Sequence, residues 1–461
     1  MRHCFLRRIM GAMLVAGLMF GLTRSALAQG QTAGVFIDAD GVLSMQYHAD
    51  PSGALSKQRA FAARSVLDGD VATSSELRKV SLNRLEAAIA KRLATSSGLS
   101  ADMTNLAGLT RLKYVFFYPE SGDIVVAGPA EGWMDDLSGR TVGIQSGQPT
   151  LKLEDLIVAL RMYAPDAAGS KSGGSKHVIG CSIDPTQEGL ARMQAFLRQV
   201  GVTATPSDTD RIVNGLRESL GLQNVSILGV SANTHFAQVM VEADYRMKLI
   251  GIGLEQPPIR MASYVQTAQP ADVSRNAMQR WYFVPDYECV RVSDDGLAME
   301  LVGDGVKLVS DDEVVTGDGV RRKAARVDKA SQMFVTSFTK RYGDLARRSP
   351  VFAQLRNLID IAIAAAYIKD NDLYSDAGWD LGVLADESRV SVEHHAVARQ
   401  VQTAVASVWR GNQLMTPVGG GVHIEPEMAL SAEALLEDDG KLGALRSDTR
   451  LELADGQWWW D

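Results

Sequence analysis

Two aspartates two residues apart, Asp38 and Asp40 in Val35-Phe-Ile-Asp-Ala-Asp-Gly-Val-Leu43, are the sharpest chemical signal in this 461-residue sequence. Side chains two apart on a strand point the same way. One carboxylate could then attack phosphorus while the other served as acid and base beside a bound magnesium. Apolar runs on both sides of Asp-Gly account for the same residues as a hairpin turn.

The histidines offer a second chemistry. His394, His395 and His423, with Glu393 and Glu425 beside them, supply the imidazoles and carboxylates that suit zinc. Their spacing matches no metal motif, and solvent-facing or hydrogen-bonded histidines explain them more simply. Ser337-Phe-Thr-Lys340 has a serine–lysine spacing used by some nucleophilic serines, without the companion Ser-Asp-Asn and Lys-Thr-Gly segments. Gly169 and Gly174 have phosphate-loop spacing, but Ser175 stands where the lysine belongs and the loop leads into a strand. No catalytic set is complete, and no cofactor is expected.

The chain starts as an export signal does. Met1–Arg8 is basic, Ile9–Leu22 is uncharged, and Ser25-Ala26-Leu27-Ala28 offers small residues for cleavage after Ala28. Residues 1–28 are therefore expected to be a signal peptide and the remainder periplasmic or secreted. That remainder carries 43 basic and 55 acidic residues, a net charge near −12. Such a charge disfavours nucleic acid and anionic lipid as partners. Val351–Ile368 is strongly apolar, yet Arg356 and Asp360 interrupt it, so it reads as a core helix and no membrane span follows the signal. Cys181 and Cys289 remain after cleavage. Outside the cytosol they could form a disulfide; two buried thiols fit equally well.

Positioning these residues calls for an α+β fold of several small mixed sheet and helix modules, with a β-meander and long helices in the C-terminal half. The Gly/Ser-rich Ala167–Lys176 segment divides an N-terminal α+β domain (29–166) from a central α+β module (177–260), and a C-terminal domain spans 271–461. Hairpins are expected at Val35–Leu43 and Leu112–Gly128. Helices are expected at Ser74–Ser97, Leu153–Tyr163, after Asp184 as N-cap, at Asp208–Leu220, Lys323–Arg347 and Val351–Lys369. Strands are expected at His177–Ile183, Val225–Val230 and Phe236–Ala243, with an extended tail around Gly419-Gly420-Gly421. Trp458-Trp459-Trp460 should dock into the fold.

Four stretches together carry a resemblance: Ala33-Gly-Val-Phe-Ile-Asp-Ala-Asp-Gly-Val-Leu43, Ser75-Glu-Leu-Arg-Lys-Val-Ser-Leu82, Tyr118-Pro-Glu-Ser-Gly-Asp-Ile-Val-Val-Ala-Gly-Pro-Ala-Glu-Gly-Trp133 and Val241-Glu-Ala-Asp-Tyr-Arg-Met-Lys248. They resemble an exported family of unknown function found mainly in planctomycete bacteria, domain of unknown function 1598. The likeness would extend over most of the exported chain and implies an envelope or secreted setting, with no chemistry attached. The Val35–Leu43 stretch is also similar to the first motif of haloacid-dehalogenase-like phosphotransferases, which implies a later lysine and a second acidic pair after a strand; Gly303-Asp304-Gly305 lacks the second acid, because Leu308 stands four residues after Asp304. The expected function is a non-enzymatic binding or cell-envelope assembly protein, its partner an unidentified protein or envelope component. The alternative is a secreted hydrolase, metal-dependent or phosphatase-like, whose site is assembled from distant residues.

Overall fold

In the computed structural model the Asp-Gly turn closes the first hairpin as its spacing predicts. Gln31–Ile37 pairs antiparallel with Val42–Ala49. The Asp38 carboxylate accepts from the backbone N–H of Asp40 at 3.0 Å and of Val42 at 2.9 Å. It is occupied by the turn, as aspartates at that position commonly are. The structure describes residues 31–166, 176–200, 206–268, 277–311, 313–315, 321–323, 328–405, 409–410, 413–414, 418–448 and 453–461. The expected signal peptide, the Gly169 to Ser175 loop and Gln269-Pro270 lie outside them.

Among the described residues two large sheets, two two-stranded sheets and the helices packed on them give the expected α+β fold. The larger runs Gln31–Ile37, Val42–Ala49, Gln400–Val401, Gln223–Leu228, Ile179–Pro185, Val418–Ile424, Ala277–Pro285, with Val306–Ser310 and Glu313–Val315 both pairing to the last and Arg321–Lys323 pairing to Glu313–Val315. The smaller runs Val290–Val292, Ala298–Leu301, Tyr114–Tyr118, Asp123–Ala130, Ser75–Ser81, Trp459–Trp460. The expected meander is thus shared between two sheets. The large sheet takes strands from all three expected domains. One contiguous core joins Phe117 and Ile124 of the small sheet to Ile183, Trp281 and Phe283 of the large one. Residues of all three expected segments meet in that core, and two smaller clusters, around Leu190 and Leu216 and around Phe116 and Trp460, lie beside it.

Glycine decides how the tail enters the sheet. Val418–Ile424 is sandwiched between Ile179–Pro185 and Ala277–Pro285. A Cβ on Gly420 would lie 1.8 Å from the Trp281 carbonyl, and one on Gly421 1.9 Å from the Cys181 carbonyl. Only glycine permits that approach.

Helix His235–Gly251 packs on this sheet, and Pro350–Asp370 packs on that helix and on Leu153–Met162. Pro350–Asp370 is long and apolar enough to cross a membrane, but its apolar window is wholly buried in protein. It is the core helix its Arg356 and Asp360 imply. Arg111 reaches Asp360 from outside the helix at 3.3 Å.

Four local expectations fail. Ser75–Ser81 is a strand, and the helix starts only at Leu82, capped by Ser81. Thr73 and Glu76 have the spacing of a capping box, but pairing with Asp123–Ala130 on one side and the terminal tryptophans on the other prevails. Phe236–Ala243 is helical: Thr234 caps it, accepting from the Ala237 N–H at 3.2 Å. A helix buried on every side shows no 3.6-residue stripe, so its apolar run imitates a strand. Asp184 does not cap Gln187–Val200; Thr186 accepts from the Gly189 N–H instead, and Asp184 pairs with Arg280. The expected Lys323–Arg347 helix is two, Lys329–Lys340 and Tyr342–Arg348.

Cys181 and Cys289 are separate buried thiols, without the candidate disulfide. Cys181 is a strand residue of the large sheet, whereas Cys289 leads into the edge strand of the small one. Burial pushes the Cys181 thiol well up and that of Cys289 to about 12. A thiol reagent should therefore label neither cysteine in the native protein and both after denaturation, and gel mobility should not change with reductant.

Candidate metal centre

Three segments far apart in sequence meet at one polar cluster. Helix Leu153–Met162 places Glu154 and Asp155 in its first turn, where the helix dipole favours carboxylates. Helix His235–Gly251 presents His235 at its start. The irregular segment carrying Glu393 and His395 is pinned over both, since the His395 N–H donates to the Asn233 carbonyl at 2.7 Å.

His395 Nε2 lies 3.0 Å from Glu154 Oε2, and His235 Nδ1 lies 2.8 Å from Asp155 Oδ2. The two imidazole rings are 5.6 Å apart, centre to centre. One donor atom each from Glu154, Glu393 and His395 falls within 4.8 Å of the others. Asp155 is buried, Glu154 and His395 are half-buried and Glu393 is exposed, so the cluster has a dry back and an open front.

The electrostatics follow from that gradient. Burial would raise the Glu154 carboxyl, but the His395 hydrogen bond and the charges of His235, His395 and Lys152 outweigh it and hold it below the usual range. Burial lowers the Lys152 ammonium despite four nearby carboxylates, Glu154, Asp135, Asp155 and Glu393. Lys152 donates to Asn105 and Thr141. Burial also opposes protonation of His235, yet the Asp155 charge and hydrogen bond, with Glu154 behind, raise its pKa overall. The Lys152 charge works against the rise. Gln354 lies on the other side of the ring. Its amide oxygen accepts from Arg140 Nε at 2.9 Å, which turns its NH2 toward His235 Nε2 at 3.3 Å. A proton on Nε2 would set two donors face to face, so Nδ1 is the nitrogen that donates to Asp155.

Behind the cluster, Arg140 pairs with Glu242, Arg246 with Glu242 and Glu255, and Lys248 with Asp244. The charged residues of Val241–Lys248 are thus buried partners of one another and of Arg140 and Glu255.

Residues 181–264 match the family model of a protein of unknown function, DUF1598. No curated protein and no solved structure matches the chain. The matched segment holds His235 and the Glu242–Lys248 ion pairs. Of the four stretches that carried the resemblance, only Val241–Lys248 falls inside it, and Glu154, Glu393 and His395 fall outside.

The structure does not assemble the His394, His395 and His423 set. His394 is exposed, and His423 pairs locally with Glu425 at 2.8 Å. His177 is bound to Glu427, which also accepts from Tyr163. Only His395 and its neighbour Glu393 join a cluster. Glu154, Asp155 and His235 had not been singled out as a set. Glu154 and Asp155 stand at the start of the expected Leu153–Tyr163 helix, and His235 stands just before the expected Phe236–Ala243 strand. Ser337 and Lys340 border a surface groove of about 410 Å³ on the outer face of Lys329–Lys340.

Proposed function

We propose that this protein works outside the cytosol as a non-enzymatic binding protein of the cell envelope, and that its ligand is a divalent transition metal held by Glu154, Glu393 and His395. What supports the reading is the convergence of one imidazole and two carboxylates from distant segments within 4.8 Å. Donors bonded to zinc at about 2.0–2.1 Å lie roughly 3.4 Å apart in a tetrahedron. Glu154 and His395, at 3.0 Å, already have ligand spacing. Glu393 is exposed and free to close the remaining distance. The proton now shared between His395 and Glu154 is what a cation would replace.

Calorimetric titration of chelator-treated protein with zinc tests this. One equivalent should bind, with the heat varying with buffer as protons are released. Glu154→Gln should weaken binding at least tenfold, and His423→Ala should leave it unchanged. Absence of uptake by the wild type, or unaltered uptake by Glu154→Gln, would end the proposal. The export part predicts that protein recovered from the envelope fraction begins at Gln29.

A metal-dependent hydrolase is the second reading. It is favoured by the fourth coordination position, which three protein donors leave to water. Zinc-dependent turnover of an activated ester, abolished by Glu154→Gln, would move the function to this class.

A further inference from the structure

Helix Ala54–Val66 follows the first hairpin and has no buried residue. It is nevertheless firmly fastened. Asp50 accepts from the Ser56 N–H and hydroxyl at 2.9 Å each. Arg59 donates to the carbonyls of Asp135 and Asp136. The partly buried positions are Ser56, Ala60 and Ala63, one strip of small side chains at helical spacing.

At about 100° per residue the opposite, outward arc consists of Ala54, Leu55, Gln58, Phe61, Ala62, Ser65 and Val66. It carries no charge. Its large apolar members are 50% (Leu55), 78% (Phe61) and 82% (Val66) exposed. Lys57 and Arg64 border the arc on one side and Arg59 on the other. No aspartate or glutamate occurs between Ala54 and Val66, in a chain whose net charge is −8. A surface helix of a globular protein ordinarily turns its apolar stripe inward and its charges outward. Here the small strip faces the protein and the apolar arc, edged by basic residues, faces solvent.

We propose that Ala54–Val66 is an interfacial helix that docks on an anionic lipid bilayer. Phe61, Val66 and Leu55 would enter the boundary between headgroups and acyl chains, and Lys57 and Arg64 would meet the phosphates. Charge complementarity selects this occupant. The acidic bulk of the protein is repelled by such a surface, so this basic-edged helix is the face that would be presented to it. Chain-wide net charge argued against anionic lipid; it averages away a local basic helix.

The test is co-sedimentation of the full exported chain with vesicles of phosphatidylcholine containing 30% phosphatidylglycerol, and with phosphatidylcholine alone, at low and high salt. The expected result is sedimentation with the anionic vesicles only, lost on raising salt. A Phe61→Ser/Val66→Ser variant should lose at least tenfold in binding, and a Lys57→Glu/Arg64→Glu variant likewise. Because these side chains are exposed, thermal melting of both variants should match the wild type. Failure to sediment with anionic vesicles overturns the proposal, as does unchanged sedimentation of the Phe61→Ser/Val66→Ser variant. It is also overturned if the apolar variant merely abolishes self-association, measured by sizing, without vesicle binding by the wild type. In that case the arc is a protein contact.

Discussion

Arg78→Ala should lower the stability of the protein by about 3–5 kcal/mol, the range for removing one partner of a buried, hydrogen-bonded ion pair. The Arg78 side chain has no exposed surface. Its guanidinium makes a two-pronged contact with Asp461, at 2.8 and 3.0 Å. It also donates to the carbonyls of Val71, Ala107, Asp70 and Thr73. The Trp459 ring lies 4.6 Å away as a cation–π partner. Alanine would leave buried carbonyls unpaired, and unpaired buried polar groups are costly.

One of those carbonyls belongs to a strained turn. Leu106 and Ala107 have φ of +43° and +53°, a region side chains rarely occupy, and Arg78 holds the Ala107 carbonyl at 2.8 Å. Arg78→Lys should recover only part of the loss, because an ammonium cannot span both carboxylate oxygens and four carbonyls. Asp461→Ala should cost less, about 1–3 kcal/mol, since its carboxylate is 43% exposed and water can replace part of the contact. Urea titrations of the three variants followed by tryptophan fluorescence provide the measurement. Equal stabilities for wild type and Arg78→Ala would refute the account.

Arg78 also shows why part of the fold was legible in the sequence and part was not. Turns announce themselves locally. Asp38-Ala-Asp-Gly41 and Glu120-Ser-Gly-Asp123 closed the hairpins they were expected to close, because turn chemistry depends on four residues and little else. Amphipathic helices with one wet side, such as Thr209–Leu220, were legible for the same reason: Ile212, Leu216 and Leu220 are buried and the intervening charges are not. Ser75–Ser81 was misread because its pairing partners are Asp123–Ala130 and Trp459–Trp460, the latter almost the whole chain away. Local capping signals cannot register a partner at that distance. His235–Gly251 was misread because its surroundings, from sheet to helix Pro350–Asp370, bury every side of it.

The candidate site failed to show itself for a related reason. Glu154, His235 and His395 are brought together by three elements, and no spacing between them in sequence carries that information. The sequence offered imidazole with carboxylate, and one pair of neighbours it named, Glu393 and His395, lies in the cluster. It chose the wrong companions because alternation on the strand bearing His423 and Glu425 was local and visible. The structure gives those two side chains to each other.

The second large effect is expected at Lys248, inside the segment matched to DUF1598. Lys248 Nζ donates to the Asp244 carboxylate at 2.8 Å and to the carbonyls of Ile183 at 3.0 Å and Gly420 at 3.3 Å. Ile183 and Gly420 face each other across two strands, so one ammonium fastens helix His235–Gly251 to the seam of the large sheet. Asp244 has no exposed surface, and its second oxygen finds no partner among the described residues. Burial pushes its carboxyl up to about 6, against the opposing pull of Lys248. A carboxyl raised in the folded state contributes stability that is full below its ordinary pKa and is lost as pH rises through the folded value. Wild-type stability relative to Asp244→Asn should therefore fall between about pH 4 and pH 6, by up to about 3 kcal/mol for two pH units. Lys248→Met removes the compensating cation. Asp244 should then titrate higher still, the fall should extend toward neutral pH, and at pH 7 the variant should be about 3–5 kcal/mol less stable than wild type. Pairing Lys248→Met with Asp244→Leu removes both charges together and should restore much of the loss, because a buried ion pair contributes little beyond what its own desolvation costs. Denaturant midpoints of the four proteins from pH 4 to 8 decide the matter: parallel pH profiles for wild type and Asp244→Asn would show that the Asp244 carboxyl is not held up by burial.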